Sequence, residues 1–335
     1  MIFDNEFDYF TLLPRHSELS SRSEIDLTTD YGGGLVLSNP LISAPMSSVT
    51  GRVLAGELSF YGGIGILHRY TPWQDQLGNI NYVVGHCQGS VMQAISSKWS
   101  TDVEIILKSR VSGLVIDVAH GDTKACIDLV KAIRDKNDKI SIVSGNIVTS
   151  EAAYRLKLAG VTSFRVGIGA GHACITRRVA GIGRNQLRAI RDVFDVGLPI
   201  LACGGIRHSG DIVKCLAAGA SGVIIGKLFS TTTESSAKRI GNKVVYAGMA
   251  SHFAEDERAA STGESRDAFS QHGTWEGEHQ ILEETGSLGK TIQPLLGGIR
   301  AGLAYLGCRN IKELHALVDN DELEWENVYG DSVEV

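Results

Sequence analysis

The sequence is poor in proline, with six in 335 residues, and its cysteines are scattered. Cys87, Cys126, Cys174, Cys203, Cys215 and Cys308 make no C-x-x-C pair and no tight cluster. Neither a disulfide framework nor a thiolate zinc site is written in that spacing. The usage fits a reducing compartment, so a cytoplasmic location is expected. No run approaches the ~20 apolar residues of a membrane span. The start, MIFDNEFDYF, lacks a basic segment leading into an apolar one, so no signal peptide is read there. A dominant charge is missing too: 32 basic residues stand against 38 acidic, net −6. That balance gives no support to nucleic-acid binding, and an anionic substrate would need a local basic pocket.

What is present is core material and glycine. Apolar residues make up 43% and charged residues 21%, which excludes disorder for the chain as a whole. Glycine numbers 39, about 12% where about 7% is usual. Glycines concentrate where backbone turns tightly or approaches a ligand closely. A chain of this length suggests two average domains, but α/β barrels spend 250 or more residues on one closed unit.

Strand-like apolar runs alternate with helical patterns. The runs are 41–45, 63–67, 90–96, 113–117, 139–144, 162–166, 198–202 and 221–225. The helical patterns fall near 51–60, 73–80, 101–109, 122–135, 149–159, 184–194, 209–218 and 288–306. Uniformly apolar runs fit parallel strands buried on both faces. Eight strand–helix repeats predict a (β/α)8 TIM barrel, with 1–335 as one barrel domain. An open doubly wound sheet is the alternative, but no G-x-G-x-x-G opens an early helix. Residues 1–40 read as an N-terminal arm and 319–335 as an acidic tail that packs on a neighbour or frays. Two connections are long: 167–183 after the sixth strand, and 227–287 after the eighth. Within the second, 238–246 with Gly241-Asn242 at its centre reads as a hairpin. Residues 254–274, poor in large apolar groups, read as a mobile flap. Both long segments follow strand C-termini, where barrel enzymes place their chemistry.

The loop VGIGAGHACITR, residues 166–177, carries the strongest chemical signal. Gly167, Gly169 and Gly171 allow tight folding and expose backbone groups. Cys174 on that loop is a candidate nucleophile, whereas Cys126 and Cys215 fall in helical patterns and read as core. Gly204-Gly205 after the seventh strand and Gly226-Lys227 after the eighth occupy the common phosphate position of barrels. Arg207, His208 and Lys227 are candidates for the local positive charge. Asp117 ends the fourth strand, where a functional carboxylate and a helix N-cap are both reasonable readings.

VGIGAGHACITR, GGIRHSGDIVK, SAPMSSVT, GGIGILHR, IDVAHG and SGNIVTS together resemble the inosine-monophosphate dehydrogenase and guanosine-monophosphate reductase family, from about residue 7 to 310. The resemblance implies a barrel, usually a homotetramer, acting at C2 of a purine nucleotide. It implies that Cys174 attacks C2 and that Thr176 assists the group leaving or entering there. It places Asp117, Ala119, Asn146 and Gly167 against a nicotinamide cofactor. His172, Cys203, Gly204, Gly205, Gly226 and Lys227 would face the sugar-phosphate, and Tyr246, Gly248, Met249 and Ala250 the purine. In the dehydrogenases, loop carbonyls also bind potassium, which here points to Gly169, Gly171 and Cys174.

The branch is read from details. Dehydrogenases normally insert a pair of regulatory (CBS) modules after the second strand, and residues 68–90 leave no room for them. Their flap Arg-Tyr pair is matched here only by Arg266-Asp267. Phe7-Asp8-Tyr9, Ser21-Arg22-Ser23-Glu24, Glu276-Gly277 and Gly286-Ser287-Leu288 resemble the reductases, whereas Ala44-Pro45-Met46 and Ala180-Gly181-Ile182-Gly183 are more dehydrogenase-like. The favoured reading is an NADPH-dependent GMP reductase in which Glu276 joins Cys174 and Thr176. The alternatives are NAD-dependent oxidation of IMP to XMP, and a nucleotide-binding relative that has lost turnover. Three positions depart from the family pattern: His172 and Lys227 stand where serine is usual, and Cys203 where aspartate normally accepts both ribose hydroxyls. A thiol is a poor acceptor, so dGMP becomes a candidate substrate, with His172 and Lys227 holding phosphate by charge. On the competing reading Cys203 only fills space.

Overall fold

Short strands that are apolar on both faces need helices outside and packed side chains within. In the computed structural model, which describes residues 6–263 and 274–327, eight such strands close into a parallel barrel. They are β1 (Leu41–Ser43), β2 (Ile64–Leu67), β3 (Val91–Ile95), β4 (Gly113–Asp117), β5 (Ser141–Ile147), β6 (Ser163–Val166), β7 (Ile200–Cys203) and β8 (Gly222–Ile225). Closure comes from β8 pairing with β1, Val223 opposite Leu41. All eight expected runs form strands. The largest departure is β5, which continues to Ile147 with a register shift at Gly145–Ile147 and so carries Asn146 to the barrel mouth.

The surrounding helices are α1 (Arg52–Phe60), α2 (Trp73–Asn81), α3 (Thr101–Leu107), α4 (Lys124–Lys136), α5 (Ser150–Ala159), α6 (Gln186–Phe194), α7 (Ser209–Ala217) and α8 (Leu288–Tyr305). Helix α4 shows why they form. Thr123 caps it by accepting from the Cys126 amide, and Cys126, Leu129, Val130 and Ile133 make one buried stripe. Leu129→Ala would remove a fully used core side chain, at about 2–5 kcal/mol. Cys126 and Cys215 are buried core residues, as their helical patterns imply.

Ile42, Ile64, Ile66, Met92, Val115, Val143, Leu201 and Ile224 fill the barrel, so its centre is packed core and a ligand is left the mouth. The arm closes the opposite end. Its hairpin (Thr29–Asp30 with Val36–Leu37) brings Tyr31, fully buried, against the Gly222 backbone at the start of β8. A further helix, Ile311–Asp319, leads into the acidic tail, which is partly ordered against this same chain: Trp325–Asn327 pairs antiparallel with Phe10–Leu12. Residues 328–335 lie outside the described residues. None of the described helices is long and apolar enough to cross a membrane.

The segment after β8 differs most from expectation. The hairpin is present as Lys238–Ile240 and Lys243–Ala247, and a third strand, His279–Glu283, joins it. Residues 254–262, expected to belong to a mobile flap, are instead helical within His252–Thr262, capped by Ser251. The helix buries Ala254, Glu255 and Arg258, so it is held partly by a charged pair that no apolar pattern announces. Arg266 and Asp267 lie outside the described residues.

Candidate active site

The cysteine loop leaves β6 at Gly167, whose φ of +136° and closeness to the Cys203 carbonyl (a Cβ would come within 2.2 Å) leave room only for glycine. The loop ends in the short helix Thr176–Val179. The Cys174 amide donates to the Gly171 carbonyl at 3.0 Å, turning the thiol toward the flap. The flap meets it strand to strand. Ile175 N donates to Glu276 O at 2.8 Å, Glu278 N donates to Ala173 O at 2.9 Å, and Cys174 bridges Gly277. This ladder fixes a side-chain chain: Cys174 Sγ lies 3.1 Å from Thr176 Oγ1, which donates to Glu276 Oε2 at 2.8 Å. Glu276 is 100 residues from Thr176 in sequence, yet the two are in hydrogen-bond contact. Since the Thr176 proton serves Glu276, the thiol is left to donate to Thr176, and a proton path runs from sulfur to carboxylate.

Toward β4 and β5 lies a buried charge network. Asp117 takes Arg165 Nη1 on Oδ1 at 2.5 Å, and Arg69 Nε stands 3.5 Å from its other oxygen. Arg165 Nε also points at Cys203 Sγ, 3.3 Å away. The N-cap reading of Asp117 is thereby corrected, because α4 takes its cap from Thr123. Arg165 was missed by sequence reasoning: it sits inside a run that otherwise reads as buried strand. Asn146 donates its side-chain amide to the Gly167 carbonyl, tying β5 to the cysteine loop, and Ala119 lies exposed at the same mouth. The buried Arg69 Nε and Thr71 Oγ1 have no hydrogen-bond partner. Arg69 Nε already faces Asp117, whereas Thr71 Oγ1, on the loop after β2, is a donor that a ligand bearing carbonyl and phosphate oxygens would satisfy, as a nicotinamide dinucleotide would.

On the opposite side the backbone of Gly204 packs so tightly on the cysteine loop that a Cβ would lie 2.8 Å from Gly171 N. Gly205 is pressed against Phe7 of the arm, and Gly226 against the Tyr246 hydroxyl. Tyr246 is buried, with its pKa raised by burial. Gly248 contacts Ala173 and Gly277, which brings the flap stretch Gly248, Met249 and Ala250 to the cysteine loop. The expected basic cluster is corrected in three respects. Arg207 is committed to the arm, gripping Asp8 with both Nη atoms and pairing with Asp211. His208 sits at the N-cap of α7 with its backbone amide on Asp211. His172 is neutral at pH 7: burial, with Lys227 and Arg207 nearby, pushes its pKa down to about 4. Lys227 is the first residue of a short helix capped by Gly226.

A parallel barrel with a thiol, a hydroxyl and a carboxylate aligned at its strand C-termini has the layout of a barrel enzyme. The domain model described as IMP dehydrogenase / GMP reductase domain matches residues 4–323, and the chain belongs to that family. It is 33% identical to an inosine-5'-monophosphate dehydrogenase of Borreliella burgdorferi over 92% of this chain and 91% of that one. It is 29% identical to a GMP reductase of Onchocerca volvulus over 92% of this chain and 88% of that one. With an inosine-5'-monophosphate dehydrogenase of Halalkalibacterium halodurans the identity is 40%, over 66% of this chain but only 47% of that longer relative.

Proposed function

We propose that this protein is a purine-nucleotide oxidoreductase that reductively deaminates a guanine nucleotide, GMP or dGMP, to the inosine nucleotide and ammonia. The reading rests on the hydrogen-bonded chain Cys174–Thr176–Glu276. The Cys174 sulfur forms a bond to C2, and its proton passes through Thr176 toward Glu276. The same path returns a proton to the C2 amine, the C2–N bond breaks, and ammonia leaves. Asp117, Ala119, Asn146 and Gly167 would hold an NADPH, which when bound would supply hydride to C2. The C2–S bond then breaks and the thiolate takes up one proton. In sum GMP, NADPH and one proton give IMP, ammonia and NADP⁺. Carbonyls of Gly169, Gly171 and Cys174 would hold a potassium ion that stiffens the loop; they are neutral oxygen ligands, although that of Gly171 already serves the Cys174 amide. A homotetramer, as in the family resemblance, is the proposed assembly.

Cys203 supports dGMP as a candidate substrate beside GMP, because discrimination against the deoxy sugar is weakened. The Cys203 sulfur already accepts from Arg165, so it offers a ribose 2′-hydroxyl little in return. The dehydrogenase direction, NAD-dependent oxidation of IMP to XMP, is the second reading, favoured by the names of most similar relatives. One panel separates them: GMP and dGMP with NADPH, and IMP with NAD, following nicotinamide absorbance and ammonia. NADPH oxidation with stoichiometric ammonia supports the proposal. NADH production from IMP alone replaces it, and a strong kcat/KM preference for GMP over dGMP removes the deoxy reading.

A further inference from the structure

Where the loop after β2 meets the flap, three polar side chains outside the proton path are buried together. Tyr70 is 6% exposed, Glu255 5% and Arg258 7%. The Tyr70 hydroxyl lies 3.0 Å from Glu255 Oε1 and 3.1 Å from the Met249 carbonyl. Arg258 donates to Glu255 Oε2 through Nε at 3.1 Å and through Nη2 at 2.9 Å. The Arg69 guanidinium, whose Nε faces Asp117, sits 5.0 Å from the Tyr70 ring centroid, and that of Arg258 sits 5.9 Å from it. The cluster thus joins the barrel-mouth charge network to the flap backbone.

We propose that Tyr70 is a positioning residue that fixes the Met249–Ala250 backbone against the purine, with Glu255 and Arg258 setting its proton. The hydroxyl has one proton and two acceptors. A carboxylate alone would outcompete a carbonyl, but two donors from Arg258 draw on the charge of Glu255. The Tyr70 proton is then shared with Met249 O. Burial holds Tyr70 protonated far beyond neutral pH, so the donor persists. The segment it grips is short and already packed. Gly248 touches Ala173 of the cysteine loop, and Gly277, beside Glu276, touches Ala250 and Ser251. A displacement at Met249 therefore moves the purine-facing backbone while the Cys174–Thr176 pair, held by its own ladder, stays in place.

This inference rests on the assignment of Met249 and Ala250 to the purine in the proposed function. The test is Tyr70→Phe, which removes one oxygen and keeps the ring between its guanidiniums, so the variant folds. KM for the nucleotide should rise roughly five- to tenfold, with kcat and KM for NADPH within about twofold of wild type. Glu255→Gln leaves a weaker, neutral acceptor, so Tyr70 keeps its bond to Met249 O and the nucleotide KM should stay within about twofold of wild type; a rise equal to that of Tyr70→Phe overturns the inference. An unchanged nucleotide KM in Tyr70→Phe overturns the inference. So does an equal loss in kcat, nucleotide KM and NADPH KM, which would mark a general structural role. If wild type turns over none of the panel nucleotides, calorimetric titration with GMP and IMP reads the same shift as Kd. Binding to wild type with no weakening in Tyr70→Phe overturns the positioning role alone. No binding to wild type overturns the functional reading and this inference with it.

Discussion

Glu276→Gln isolates the proton function of the flap. The Gln side chain has the same size, and its carbonyl still accepts from Thr176 Oγ1 across the observed 2.8 Å, so the contact geometry survives. The backbone ladder also survives, because Ile175 N bonds the carbonyl of residue 276 and no side-chain atom. What is lost is the ability to take and return a proton. General acid–base groups of this kind contribute about 10²- to 10⁴-fold, so kcat should fall by that factor, about 2.7–5.5 kcal/mol of barrier. Nucleotide affinity should stay within about threefold, since the carboxylate faces the hydroxyl of Thr176 and the amide keeps that bond. Thr176→Val should match it in kcat because it breaks both links, 3.1 Å to sulfur and 2.8 Å to carboxylate. Rapid-quench measurement of ammonia release and calorimetric titration with GMP give the two numbers. A Glu276→Gln enzyme with kcat within about threefold of wild type would refute the proton path.

Two further outcomes follow from the charges at the mouth. Arg165→Met should destabilise the fold by about 3–5 kcal/mol in denaturant titration, because Asp117 would be left buried with only Arg69 at 3.5 Å. Arg165→Met with Asp117→Asn should recover most of that loss; no recovery would mean the damage is steric. His172 gives a pH effect with a defined sign. Its folded pKa of about 4 lies below the ordinary 6.5, so between those values the unfolded chain binds a proton that the folded one refuses. Stability is complete above about pH 6.5 and falls as pH drops toward 4. His172→Gln should flatten part of that slope in urea midpoints, leaving the share of His68, which burial shifts in the same direction. An identical slope in the variant would show that His172 titrates normally.

The barrel was legible because each strand is a local apolar run and each helix a local stripe, both confined to a few residues. The proton path was legible only in part. Cys174 announces itself by its glycine-rich loop, while Thr176 and Glu276 were reached through resemblance. Arg165 was hidden because its partners stand far off, Asp117 by 48 residues and Cys203 by 38, and a lone arginine inside an apolar run gives no sign of them. Arg207 misled for the same reason: its charge is taken by Asp8, 199 residues away. The flap helix escaped notice because Glu255 and Arg258 pay for their own burial by pairing, which hydrophobic periodicity does not register.

The most direct test of the central claim is Cys174→Ala assayed with GMP, dGMP and NADPH, alongside intact-mass analysis of wild type quenched during turnover. The account predicts that the variant binds nucleotide but neither oxidises NADPH nor releases ammonia, and that wild type shows a purine-nucleotide adduct on Cys174. NADPH oxidation by Cys174→Ala at a rate near wild type would contradict it.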